Sequence, residues 1–172
     1  MVIGLLAFVL YFIYDLNEIT LQNKIFQKFF FLGTLILVLG TFLMGFACDA
    51  LNWIWLVPAI FFFGLLIYTL FFALPFEATY VDPAAGRKVY SGGIYGVCRH
   101  PGFWWLLFAY VCLGMACGSE MMRFGLFCSF LNLLYIGFQD MVVFPRIFVD
   151  YGDYKRKVPF LIPRRKHNAI SR

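Results

Sequence analysis

The sequence predicts an all-helical, polytopic membrane protein with about five transmembrane helices and a short cytosolic C-terminal segment. Three observations predict it. Only 13% of the 172 residues are charged and 63% are hydrophobic, whereas ordinary globular domains carry about 25% charge and about half apolar residues. The apolar residues gather in runs close to the ~20 residues that cross a ~30 Å hydrocarbon core. The cations, finally, fall almost entirely on one side of the topology those runs imply.

Taken in order, the first run, Val2 to Tyr14, is short for a span. It has no basic leader and no small-residue cleavage site, so it reads as a first span and not a signal peptide. Four longer runs follow: Phe29 to Ala47, Trp53 to Leu74, Phe103 to Gly118 and Met122 to Phe144. Asp49 and Asn52 suit capped turns between spans, and Trp53 and Trp55 suit an interfacial aromatic belt. Gly114 and Gly118 form a small-xxx-small pair of the kind that lets helices pack closely. No internal repeat or linker divides the chain. Residues 1–76 are N-terminal spans with little chemistry, and residues 77–172 hold the polar motifs.

Five spans put the loop Asp15 to Lys28, the loop Phe76 to Gly102 and the tail beyond Phe144 on one side. That side holds every Lys and Arg of the 14 except Arg123. By the positive-inside rule it is cytoplasmic, and the N-terminus is outside. The net charge of +5 therefore calls for no nucleic acid. The basic tail KRKVPFLIPRRK suits either anionic membrane lipids or a topology signal alone. The five cysteines show no CxxC pair and no zinc spacing with histidine. Packing is their expected role, with Cys98 singled out for reactivity because Arg99 adjoins it and a cation favours the thiolate.

Two polar clusters interrupt this apolar chain. GIYGVCRHPGFWW sets Arg99, His100 and Pro101 at the cytoplasmic start of the fourth span, and Gln139-Asp140 lies at the cytoplasmic end of the fifth. A tight turn joins the two spans, so they should be antiparallel neighbours with both clusters at one depth. An ionisable residue inside a span is a functional candidate, because burying it without a partner is costly. Cations and a carboxylate inside an apolar bundle suit a zwitterionic ligand.

VYSGGIYGVCRHPGFWW resembles the T-x-G-x-Y-x-x-x-RHP-x-Y-x-G block of the isoprenylcysteine carboxyl methyltransferase and phospholipid methyltransferase superfamily of membrane enzymes. QDMVVFPRIFVDYGDYKRKVPFLIP fills the spacing of that superfamily's second block, an acidic pair followed by Y-x-x-Y-x-x-x-VP-x-x-x-P. The resemblance covers roughly Val89 to Pro163. It implies S-adenosylmethionine-dependent methyl transfer at the cytoplasmic face to a lipid-like or prenylated acceptor. By position, Gly93 and Tyr95 would shape the loop, and Arg99, His100 and Pro101 would line the cofactor pocket. Gln139 and Asp140 would meet the cofactor's polar end, its ammonium facing Asp140. Tyr151 and Tyr154 would close the cytosolic side, and Arg146 would hold an acceptor carboxylate. The chain departs from the pattern at Phe103, at Trp105 where a glycine is usual, at Gln139 in the acidic pair, and at Ile147-Phe148. Restoring the pair with Gln139→Glu is expected to be tolerated. Two other readings stay open: a non-catalytic scaffold or binding protein of this fold, and a nicotinamide-dependent relative of the sterol reductases.

Overall fold

A computed structural model describes residues 1–48, 50–73 and 86–163. The expectations for Asp49, for the span end at Leu74 and for Arg164, Arg165, Lys166 and Arg172 lie outside these. The described residues are helical, with one isolated parallel bridge between Arg87 and Phe148. The helices are α1 (Val2–Ile19), α2 (Lys24–Gln27), α3 (Phe29–Phe46), α4 (Trp53–Phe71), α5 (Pro101–Cys117) and α6 (Ser119–Phe138). A 3-10 turn (Gly93–Gly96) precedes α5. α6 continues through a π turn (Gln139–Val143) into α7 (Phe144–Ile147), and α8 (Tyr151–Lys157) follows.

Four helical stretches are long and apolar enough to cross a membrane: Val2–Ile19, Lys24–Phe46, Trp53–Phe71 and Ser119–Ile147. The fourth run, Phe103 to Gly118, forms the shorter apolar helix Pro101–Cys117. The first span is longer than expected. It runs 18 residues to Ile19, so Asp15 is helical and buried and not part of a loop. Asn17 ends it, exchanging two hydrogen bonds with the Asn23 backbone at 2.8 and 3.0 Å. Asn52 caps α4 by accepting from the Ile54 N–H at 3.1 Å, which relieves one of the N–H groups that a helix start leaves unbonded.

α4 packs on α5, α5 on α6, and α1 on both α3 and α6. Phe8, Tyr110, Met121, Phe124 and Cys128 lie at the centre of this bundle, each at most 2% exposed. Where hydroxyls enter it they find partners: Tyr110 shares a 2.8 Å bond with Thr41, and Tyr11 donates to Thr34 at 3.1 Å. This is the usual condition for a buried polar group.

The two glycines of the small-xxx-small pair do different work. A Cβ on Gly114 would sit 2.8 Å from the Met122 Cα, so the glycine lets α5 and α6 touch backbone to backbone. Gly118 has open space around it but takes φ +98. It makes the turn between the helices, a conformation that disfavours any side chain with a Cβ. Gly114→Ala is therefore expected to cost about 1–3 kcal/mol by overpacking. Gly137→Ala, whose Cβ would meet nothing nearer than Met141 Cε at 4.0 Å, should leave the melting temperature in detergent unchanged or slightly raised.

Candidate functional site

At the end of the bundle where α5 begins and α6 finishes, the two polar clusters meet. Pro101 takes the first position of α5, where a missing N–H costs nothing. Arg99 and His100 just before it are tied to the chain beyond α8. The Arg99 N–H donates to Pro159 O at 3.0 Å, and the His100 N–H to Phe160 O at 3.3 Å. Trp104 Nε1 adds a bond to Leu161 O at 3.0 Å. The Val158-Pro159 block is thus pinned against the RHP block by main-chain bonds.

Asp140, 3% exposed, is where the side chains converge. Arg99 meets it with a fork: Nε reaches Oδ1 at 2.7 Å and Nη2 reaches Oδ2 at 3.2 Å. Tyr151 donates to Oδ1 at 2.6 Å, and Lys155 Nζ lies 2.9 Å from Oδ2. An ionised carboxylate accepts about four such bonds, so all are taken. The remaining guanidinium edge, Nη1, donates to the Lys155 and Val158 carbonyls at 3.0 and 2.7 Å, capping the end of α8. Phe160 lies under the guanidinium at 5.6 Å, a favourable face for a cation.

The π turn explains why Lys155 is drawn in. Pro145 has no N–H and its ring crowds the carbonyl four residues back, which widens the helix locally. The Phe144 N–H then bonds to Gln139 O. Asp140 O is left with no backbone donor, since the next residue in line is the proline. Lys155 Nζ stands 3.4 Å from it. Sequence reasoning took Lys155 for surface charge. The signal was its spacing: Tyr151 and Lys155 are four apart, on one helix face, and both reach Asp140.

His100 is buried, stacked on Phe144 at 6.0 Å and edge-on to Phe160 at 5.0 Å. Its Nε2 is buried without a hydrogen-bond partner, with Asp140 Oδ1 at 3.5 Å, beyond ordinary bonding range. Burial holds the imidazole below its usual pKa, although the neighbouring Asp140 works against this.

Tyr95, Tyr151 and Tyr154 fasten the loop and α8 in place. Tyr95 donates to Thr69 O on α4 at 2.8 Å, and its own carbonyl accepts from Tyr154 at 2.7 Å. Burial pushes the Tyr95 phenol up to about 12 and raises Tyr151 and Tyr154 as well. Gly93 opens the 3-10 turn at φ +55, a conformation that favours glycine. Trp105 has a partner of its own: Nε1 donates to Thr69 Oγ1 at 3.0 Å and its ring stacks on Phe62. The bulk that departs from the family pattern is packed against α4.

Three expectations change. Gln139 does not join Asp140: its Nε2 donates to Asp15 Oδ2 and to the Tyr135 hydroxyl, each at 2.9 Å, on the side facing α1. Arg146 is exposed and forms no ion pair with Asp140; its Nη1 donates to Val142 O at 2.9 Å. Cys98 is buried, and burial raises its thiol pKa where the adjacent arginine was expected to favour the thiolate. It packs.

The Gln139 contact also reverses the expectation for Gln139→Glu. That change would set two carboxylates against each other where a donor now meets Asp15, with loss of a charged hydrogen bond worth about 1.5–3 kcal/mol. A lowered melting temperature is expected, with recovery in the Gln139→Glu/Asp15→Asn double variant, whose amide can donate again. Full stability of the single variant would show that Asp15 and Gln139 do not touch.

No family model matches the chain, and neither a curated protein nor a solved structure matches it.

Proposed function

We propose that the protein is an S-adenosylmethionine-dependent membrane methyltransferase acting on a lipid-like acceptor at the cytoplasmic face. One observation supports this above the others: both sequence blocks that resemble the methyltransferase superfamily converge on one buried carboxylate. The site's donor set suits a zwitterionic cofactor. His100 Nε2 is a buried polar atom without a partner, and Asp140 is a buried anion held partly by a lysine that is itself 42% exposed.

Bound there, S-adenosylmethionine would supply an electrophilic methyl group on a sulfonium. Asp140 would hold the ligand's ammonium once Lys155 swings away, while Arg99 keeps the carboxylate oriented. His100 would bond a polar atom of the ligand through Nε2, with Phe144 and Phe160 excluding water beside it. A dry pocket favours loss of the sulfonium charge, and positioning supplies much of the remaining acceleration. Arg146, turned toward Val142, has no part in this account.

A second reading is favoured by one fact. All the acceptor positions of Asp140 are filled by the chain itself, as a purely structural clamp would require. A non-catalytic scaffold would look the same.

Calorimetric titration of detergent-purified protein separates the readings. Wild type is expected to bind S-adenosylmethionine and not NADPH. Arg99→Ala, which releases Asp140 from its fixed position, and His100→Ala, which removes a bond to the ligand, should each weaken binding about tenfold or more, the scale of a charge-assisted bond worth ~1.5–3 kcal/mol. Asp140→Asn should weaken it more than Gln139→Ala, since Gln139 faces Asp15. No heat with either cofactor would leave the clamp.

A further inference from the structure

On the outer side of the cations that hold the buried carboxylate lies a groove of about 260 Å³. Four cations line it, Arg99, Lys155, Arg156 and Lys157, together with the apolar strip Val158–Phe160. Two carboxylates offset them. Asp140 lies behind Arg99 and Lys155, and Asp153 pairs with Arg156 at the rim. Lys157 has no ion pair among the described residues. The groove therefore carries surplus positive charge, and Arg156 and Lys157 present it from an exposed helix end.

The groove's position narrows the ligand. α8 starts four residues after Ile147, where the last membrane-length stretch ends. The inner face of α8 is buried through Tyr151 and Tyr154, and Lys155 reaches inward to Asp140, which leaves Arg156 and Lys157 facing outward just past the end of that stretch. The groove has an apolar wall of its own, Val158–Phe160, and two apolar residues near α8 in sequence are exposed, Val149 at 66% and Ile162 at 75%. A freely diffusing anion needs no such apolar border. A headgroup attached to acyl chains does.

We infer that this groove binds the phosphate of an anionic phospholipid headgroup, with Arg156 and Lys157 as its main ligands and Ile162 and Val149 against the acyl chains. Lys155 stands at the junction, its ammonium on Asp140 and its stem in the groove wall. A lipid seated there holds α8 down over the carboxylate. The site is independent of the methyl-transfer reading, because neither Arg156 nor Lys157 touches Asp140.

Native mass spectrometry of the detergent-purified full chain tests it, titrating phosphatidylglycerol, phosphatidylcholine and inorganic phosphate separately. Wild type should retain phosphatidylglycerol in clear preference to phosphatidylcholine and gain melting temperature with it. Arg156→Gln/Lys157→Gln removes two surface cations worth ~1 kcal/mol each near anionic lipid, so affinity should fall roughly 30-fold. Both side chains are exposed, so the unliganded melting temperature should hold. Lys24→Gln/Lys28→Gln removes equal charge at the same end of the bundle but outside the groove, and should leave lipid binding intact. Equal loss in that control would overturn the site in favour of diffuse surface charge. Equal retention of the two lipids, or inorganic phosphate binding as tightly as phosphatidylglycerol, would overturn the anionic-lipid assignment.

Discussion

The buried ion pair between Arg99 and Asp140 is the constraint on which this end of the molecule depends. Each partner is costly to bury alone, and only good geometry with further hydrogen bonds offsets that cost. Here the geometry is a two-point fork, and nearly all the remaining donors and acceptors are met. Asp140 takes Tyr151 and Lys155, while Arg99 takes the last carbonyls of α8. The pair therefore joins the start of α5, the end of α6 and the α8 segment into one unit. Lose either charge and the other stays buried without its counterion.

The same arrangement sets the chemistry that the site can support. As folded, the carboxylate is neutralised by the chain's own cations, one fixed and one displaceable. Arg99 is 7% exposed at its side chain and bonded on every edge, whereas Lys155 is 42% exposed on a seven-residue helix. A ligand ammonium would compete with Lys155 and not with Arg99. His100, buried among aromatic rings with Nε2 unbonded, is the other group with capacity to spare. Among the described residues no other buried side-chain nitrogen or oxygen is without a hydrogen-bond partner.

Much of this was legible in the sequence, for physical reasons that can be named. Long apolar runs gave the helices because lipid leaves only a helix or a closed barrel to satisfy the backbone, and runs near 20 residues have the length of a helix. Short connections made α5 and α6 neighbours, which brought Arg99 to Asp140. What was hidden depended on local geometry. A proline five residues after Asp140 makes a π turn, and Gln139 bonds across to α1, away from the residue beside it. Asp15 was placed in a loop because a charged residue ended the apolar run, yet the helix continues past it with Gln139 as its partner. Trp105 stands where the resembled pattern has a glycine, and Thr69 and Phe62 on α4 account for its bulk. The role of Lys155 was masked by the basic run around it.

A double-mutant cycle on thermal or denaturant stability, using Arg99→Gln, Asp140→Asn and the pair together, tests the central claim most directly. If the ion pair organises the site, each single change should cost about 3–5 kcal/mol, as breaking a buried pair does. The double variant should then recover much of that loss, a coupling of about 2 kcal/mol or more. Single effects that simply add, to within about 0.5 kcal/mol, would contradict it and leave the two residues as independent neighbours.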